Sequence, residues 1–235
     1  MASLLFIAPL DLGETVLATG ALAYALSEGD QVCIVSGPEA AALFRAAPGL
    51  AARHVIARGG GLGEMWRLWF ELVRKRFDLV IDARGGLPGG ALAAARRVAL
   101  KPAAVLRHRT EDWAEAMGSA RPLAPKLWVD AVARARAAAL APGAAPVLVL
   151  APGGVTDAKR WPWERFAAVA RRLAGGPLGE ARIVVLGAAR RDADLIRMIV
   201  SSLDADGVAA ADLSDGLDLL DAAALMERAT LCLGN

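Results

Sequence analysis

Short unbroken apolar runs alternate along this chain with longer stretches whose apolar residues recur at helical spacing. "SLLFIAP", "DQVCIVSG", "RHVIARG", "DLVIDARGG", "PVLVLAPGG", "ARIVVLGAA" and "TLCLGN" read as strands. Runs of this kind, apolar on both sides of the alternation, suit strands covered on both faces. Between them "GETVLATGALAYALSEG", "PEAAALFRAAPG", "LGEMWRLWFELVRKRF", "PWERFAAVARRLAGG", "RRDADLIRMIVSSL" and "LDLLDAAALMERA" read as helices. Such alternation implies an α/β fold, with parallel sheets joined by right-handed crossovers. In the third helix Met65, Leu68, Trp69, Leu72 and Val73 form the apolar stripe, and Arg67, Arg74, Lys75 and Arg76 the wet side. Residues 87–141, rich in Ala and Arg, are expected to be mostly helix and loop, and "DADGVAAADLSDG" a connection. The Pro/Gly/Ala stretch "ALAPGAAP", residues 139–146, is the expected boundary between domains at 1–141 and 146–235.

The chain has 235 residues, 56% of them hydrophobic. Much of that content is Ala, and Gly, Pro or charge breaks every apolar run before a membrane span is reached. The start "MASLLFIAPLDLGE" lacks a basic n-region, so the chain is expected in the cytoplasm. A net charge of +2 is too small to imply a nucleic-acid partner. The basic positions Arg74 to Arg76 are open to two readings, a solvated face or contact with the anionic surface of the inner membrane. Cys33 and Cys232 lie in apolar runs and are expected as buried, reduced thiols, with no disulfide or metal site.

In parallel sheets ligands gather outside the carboxyl ends of the strands. This selects the turns "PLDLGE", "DARGG", "APGGVTDAKRW", "LGAARRD" and the final "LGN". In the third, Gly153 and Gly154 let backbone N–H groups approach an anion, Lys159 adds a point charge, and the helix beyond Pro162 offers its positive end. The loop therefore reads either as a cradle for a diphosphate or as an ordinary strand-to-helix connection with a solvated Lys. A Walker A motif is absent, and so is G-x-G-x-x-G after the first strand, which disfavours a dinucleotide cofactor.

Three segments carry a resemblance. "LLFIAPLDLGETVLATGAL" (4–22), "RFDLVIDARGG" (76–86) and above all "LAPGGVTDAKRWPWERFAAVARRL" (150–173) are similar to motifs of glycosyltransferase family 9, the heptosyltransferases of lipopolysaccharide synthesis. The third resembles that family's donor loop, with its Lys-x-Trp-Pro. The resemblance covers nearly the whole chain and is weakest over 87–141. It implies a GT-B architecture: two Rossmann-like domains facing a cleft, an acceptor domain first and a nucleotide-sugar domain second. It implies transfer of a heptose-like sugar from an ADP-sugar to a lipopolysaccharide-core or related glycan or glycolipid acceptor, with inversion and without metal or other cofactor. In the family "LGN" continues into a donor-binding segment and further elements, so the second domain is expected to be incomplete here.

Residue by residue, the resemblance implies Glu14 as the base that takes the acceptor's proton, with Asp11 behind it. Where the family has Asp this chain has Glu14, one methylene longer. A Glu at a helix start also interacts with the helix dipole, a structural alternative for the same residue. Donor contacts are implied at Gly153, Gly154, Thr156, Lys159, Gly187, Asp192 and Asn235, and acceptor contacts at Gly13, Arg84 and Gly85. Lys159 would steady the departing diphosphate, and Asp192 a ribose. Trp161 and Trp163 are expected as packing anchors. Ala8 stands where the family often has a cation. The alternative function is a relative of the same fold that binds a nucleotide or glycan without turnover.

Overall fold

A computed structural model describes residues 1–57, 62–85, 92–100, 107–154, 156–188 and 190–235, with the side chains of 62, 64, 65 and 157 outside that description. Two compact units divide the chain, Met1–Trp128 and Val129–Asn235.

The first unit is built on strands β1 (Ser3–Ile7), β2 (Gln31–Ser36), β3 (Leu50–Val55), β4 (Arg76–Asp82) and β5 (Ala93–Ala99), with helices α1 (Leu12–Ala25), α2 (Leu62–Val73) and α3 (Arg109–Met117). The strands are parallel, in the order β3-β2-β1-β4-β5. The stripe expected of α2 is present in the described side chains. Leu68 and Leu72 are buried against Leu5, Ile7, Cys33, Val35 and Val80, with Trp69 and Val73 beside them. Met65 falls outside the described side chains. At α1, Gly20 is a close-approach position. A Cβ there would stand 2.4 Å from the Leu123 carbonyl oxygen, and the Lys126 N–H donates to Thr19 Oγ1 at 3.0 Å in the same seam.

The second unit holds α4 (Ala131–Leu140), β6 (Val147–Ala151), α5 (Trp163–Ala174), β7 (Arg182–Val185), α6 (Ala193–Ala205), β8 (Ala210–Asp212), α7 (Leu219–Arg228) and β9 (Leu231–Gly234). Its sheet is also parallel, ordered β8-β7-β6-β9. Phe166, Ala167 and Ala170 of α5 pack with Ile196, Ile199 and Leu203 of α6 over Leu148, Leu150, Ile183 and Val185.

The structure departs from the sequence reading at several points. Residues 93–99, "AAARRVA", form an edge strand, because pairing with β4 overrides a composition that favours helix. Most of its residues are exposed and Val98 alone in it is buried. "AAD" at 210–212 is likewise an edge strand, hidden in what reads as a connection. The short helix expected after β2 is one 3-10 turn, Ala41–Phe44. The unit boundary falls after Trp128. Helix α4 therefore joins the second unit, tied to α7 by Arg134–Glu227 (2.8 Å) and Arg136–Asp221 (2.7 Å), and residues 139–146 are a turn inside that unit. Cys33 is buried as expected, but Cys232 is exposed. No helix among the described residues is long and apolar enough to cross a membrane.

Candidate active site

Both sheets reverse direction at a single place. In the first, the chain runs outward from β1 through β2 and β3, then returns to the other side of β1 with β4. In the second it runs from β6 through β7 and β8, then returns beside β6 with β9. Loops that leave adjacent strands in opposite directions open a crevice at such a switch point. Asp11, Gly13 and Glu14 follow β1, and Arg84 and Gly85 follow β4. Gly153, Gly154, Thr156 and Lys159 follow β6, and Asn235 follows β9. These residues thus lie at the switch point of their own unit, whereas Gly187 and Asp192 follow β7.

At the first crevice the two candidate carboxylates divide their work. Asp11 is the N-cap of α1, its Oδ1 accepting the Glu14 N–H at 3.0 Å. A Cβ on Gly13 would press against that same oxygen. The Glu14 carboxylate is left outward and 40% exposed, 2.9 Å from Arg109 Nε. Arg109 opens α3 and reaches Asp112 Oδ2 with Nη1 at 3.2 Å. Asp112 is nearly buried and also accepts from Arg107 at 2.7 Å. At the end of β4, Asp82 Oδ1 accepts the Arg84 and Gly85 N–H groups at 3.1 and 3.0 Å. That turn leaves Gly85 at φ +63°, where a side chain is strained.

At the second crevice the loop after β6 is laced from within. Asn235 Nδ2 donates to the Pro152 carbonyl at 2.6 Å and the Gly153 carbonyl at 3.0 Å, while its Oδ1 accepts the Trp161 N–H at 2.8 Å. Arg160 Nε donates to the Gly154 carbonyl at 3.1 Å. A 3-10 turn, Asp157–Lys159, follows, with the Lys159 N–H on the Thr156 carbonyl at 3.0 Å. The Lys159 side chain is exposed. Beyond it α5 begins at Trp163 with Pro162 in the cap position and no side chain capping it. Trp161 meets Phe166 edge-on at 5.2 Å, and both Trp161 and Trp163 pack on the core, as expected of anchors.

The residues 146 positions long, 90–235, match the family model of glycosyltransferase family 9 (heptosyltransferase). The chain belongs to that family. No curated protein sequence matches it. Its fold is similar to that of a family 9 glycosyltransferase from Veillonella parvula, at 17% identity and a TM-score of 0.77 over 98% of this chain and 75% of that one. The ADP-heptose lipopolysaccharide heptosyltransferase II of E. coli is similar at 17% identity and a TM-score of 0.74, over 99% of this chain and 78% of that one. An E. coli heptosyltransferase solved with ADP gives 18% identity and a TM-score of 0.70, over 99% and 81%. Parallel sheets of five and four strands, each in a Rossmann-like unit, fit the GT-B heptosyltransferase fold.

Within this family 9 chain, several expected donor residues hold the loops. The Asp192 carboxylate is 1% exposed and turned inward. It accepts the Ala188 N–H at 3.0 Å and faces Arg191 at 3.3 Å and Arg160 at 3.5 Å. A Cβ on Gly153 would stand 2.6 Å from Asp192 Oδ2, and one on Gly187 would stand 2.8 Å from Ile196 Cδ1. These two glycines make room for Asp192 and α6. Asn235 spends its amide on the loop backbone. The sequence reading missed Arg109, Asp112, Asp82 and Arg160. Asp82 was legible as the Asp of an Asp-x-Arg-Gly turn. Arg109 and Asp112 lie in a region without a strong pattern, and only the fold brings them to Glu14. No group of His, Cys, Asp and Glu suited to a metal ion occurs among the described residues.

Proposed function

We propose that this family 9 glycosyltransferase moves a heptose-like sugar from an ADP-sugar to a lipopolysaccharide-core or related glycan acceptor, with inversion. The observation that carries the reading is the division of labour after β1: Asp11 is committed to capping α1, and Glu14 presents a half-exposed carboxylate to the crevice beside Arg109. In the proposed step the acceptor hydroxyl gives its proton to Glu14. Its oxygen attacks the anomeric carbon from the face opposite the diphosphate, and the bond from that carbon to the diphosphate oxygen breaks with its electron pair leaving on ADP. The two E. coli neighbours, an ADP-heptose lipopolysaccharide heptosyltransferase and a heptosyltransferase solved with ADP, support the choice of donor.

Lys159 and the uncapped start of α5 are suited to the negative charge that builds on the leaving diphosphate. A preorganised donor of this kind is worth ~3–4 kcal/mol of barrier. The proposal therefore uses no metal ion. Arg84 and the Gly13 and Gly85 backbone border the crevice on the acceptor side.

The test pairs two variants. Glu14→Gln keeps size and removes charge; it is expected to bind ADP normally by calorimetry and to lose transfer. Lys159→Ala is expected to weaken ADP binding by about ten- to a hundredfold, the worth of a charge-assisted hydrogen bond, with an unchanged melting temperature. Transfer retained by Glu14→Gln moves the base elsewhere. Normal ADP affinity in Lys159→Ala leaves that Lys a solvated loop residue.

A further inference from the structure

Helix α2 hides one face in the core and shows aromatic rings on the other. Trp66 is 56% exposed and Phe70 is 57% exposed. They are one helical turn apart, with ring centroids 6.2 Å from each other. Trp69, half-buried in the core, touches both, at 5.7 Å from Trp66 and 5.3 Å from Phe70. The three rings form one cluster that runs from core to solvent, so the outer two are held in place by the inner one. Two large rings in water at adjacent turns are a cost to a free protein and mark a surface meant to be covered.

The charges around the rings say what covers it. From Trp66 to Arg76 the sequence carries Arg67, Arg74, Lys75 and Arg76 against one acid, Glu71. All four cations are exposed. Arg74 and Lys75 lie in the turn that follows α2, and Arg76 opens β4, so the sequence expectation that they line the helix's wet side holds only for Arg67. Glu71 is already drawn to Arg67 at 3.6 Å and His54 at 3.2 Å. Glu64, just ahead, has no described side chain. A second copy of this chain would bring an equally basic rim to the interface, and like charges would meet across a two-fold axis. A bilayer with anionic headgroups complements both features: Trp and Phe enter the headgroup level, and the Arg and Lys side chains reach the phosphates.

We propose that the Trp66–Phe70 face of α2, with Arg67 on the helix and Arg74 and Lys75 in the turn that follows it, docks on an anionic phospholipid surface. Because helices that follow parallel strands start at the carboxyl end of the sheet, the first turns of α2 and the start of α1 with Glu14 lie at the same end of this unit. Docking lays the outer side of α2 along the membrane, with Arg74 to Arg76 at the opposite, amino end of the sheet, where β4 begins. The inference is independent of the transfer reaction and stands or falls separately from it.

The experiment is vesicle co-sedimentation of the full chain with phosphatidylglycerol/phosphatidylethanolamine vesicles and with phosphatidylcholine vesicles. Binding is expected only with the anionic lipid, weakening with added salt as surface electrostatics do. Trp66→Ser/Phe70→Ser is expected to reduce binding by about tenfold or more. Because both rings are exposed, circular dichroism and ADP affinity should stay as in the parent. If that double variant fails to fold, Arg74→Glu/Lys75→Glu serves in its place, with the same loss expected. Equal binding by parent and variants, or equal binding to both vesicle types, overturns the proposal. So does a dimer in sedimentation that the ring substitutions dissolve, which would make the face a self-association surface.

Discussion

Glu14 and Arg109 meet at 2.9 Å although 95 residues separate them in the chain. The pair joins the first turn of α1 to the first turn of α3, and Arg109 keeps its other hand on Asp112. Both partners are about two-fifths exposed, at 38% and 40%, so their mutual attraction contributes less than about 1 kcal/mol to stability. The effect of Arg109 therefore falls on where the carboxylate points. Arg109→Gln is expected to lower kcat by about ten- to a hundredfold, the scale set by a misplaced reacting group. Donor affinity and melting temperature should be nearly unchanged. A fall in melting temperature with normal kcat would make the pair a strut between two helices. Glu14→Asp shortens the reach to Arg109 and restores the residue of the motif it resembles, so it is expected to keep transfer.

Asp192 gives the opposite pattern. Its carboxylate is buried and holds the Ala188 N–H, with Arg160 and Arg191 beside it. Removing it takes the charged acceptor away from the Ala188 N–H. Those guanidinium groups are partly exposed and can turn to water. Asp192→Ala is therefore expected to cost about 1–3 kcal/mol in urea unfolding and to weaken ADP binding by loosening the loops at Gly153 and Gly187. Weaker ADP binding with no loss of stability would instead make Asp192 a direct contact to the donor.

These two residues show where sequence was sufficient. The buried strands β1, β2, β4, β6 and β7, and helices with a clear stripe such as α2 and α5, announce themselves by period, because burial on known faces leaves a regular trace. The loop after β6 was legible too, since Gly-Gly, Lys and Trp-Pro lie within nine positions of one another. The edge strands β5 and β8 were not, because an edge strand buries little and Ala and Arg carry no strand signal. The division between units was misplaced because a Pro-Gly turn inside a unit has the composition of a linker. Asp192 was expected to steady a ribose, and the fold turns its carboxylate inward. Arg109 left no local trace: its meaning comes from a partner ninety-five positions away.

Asp30 makes the acid limb of stability measurable. Its carboxylate accepts the Ala2 N–H at 2.7 Å and the Ser27 N–H at 3.0 Å. These bonds, the one from Ala2 first, hold its pKa below the ordinary Asp value. A carboxyl whose pKa is lowered by folding adds stability that is present above its unfolded value of about 3.9 and disappears as pH falls through the lower folded value. Asp30→Asn is expected to be less stable than the parent at neutral pH, and the difference should close as the solution is acidified below pH ~4. A difference that stays constant with pH would mean that the two bonds do not depend on the charge.

The two thiols should separate cleanly. Cys232 is exposed on β9, and Cys33 is buried under α2. A thiol reagent is expected to modify one cysteine in the native protein and both after denaturation. Desolvation by the surrounding protein pushes the pKa of both thiols up, although Cys232 is exposed. Native labelling of Cys232 should therefore quicken as pH rises, since the thiolate is the reactive form. Labelling lost in Cys232→Ser identifies the site; two reactive thiols in the native state would contradict the packing of Cys33.

Asn235 lies 83 residues beyond Pro152, whose carbonyl it holds, and that interval sets an order of events. During synthesis, β6 and the loop behind it leave the ribosome long before the residue that ties them. Until β9 pairs with β6, the nascent chain has the glycines, the lysine and the helix start without the clasp that fixes their spacing. Under the proposed function, competence to hold a nucleotide is therefore a late acquisition, reached when β9 arrives rather than when the loop after β6 is made.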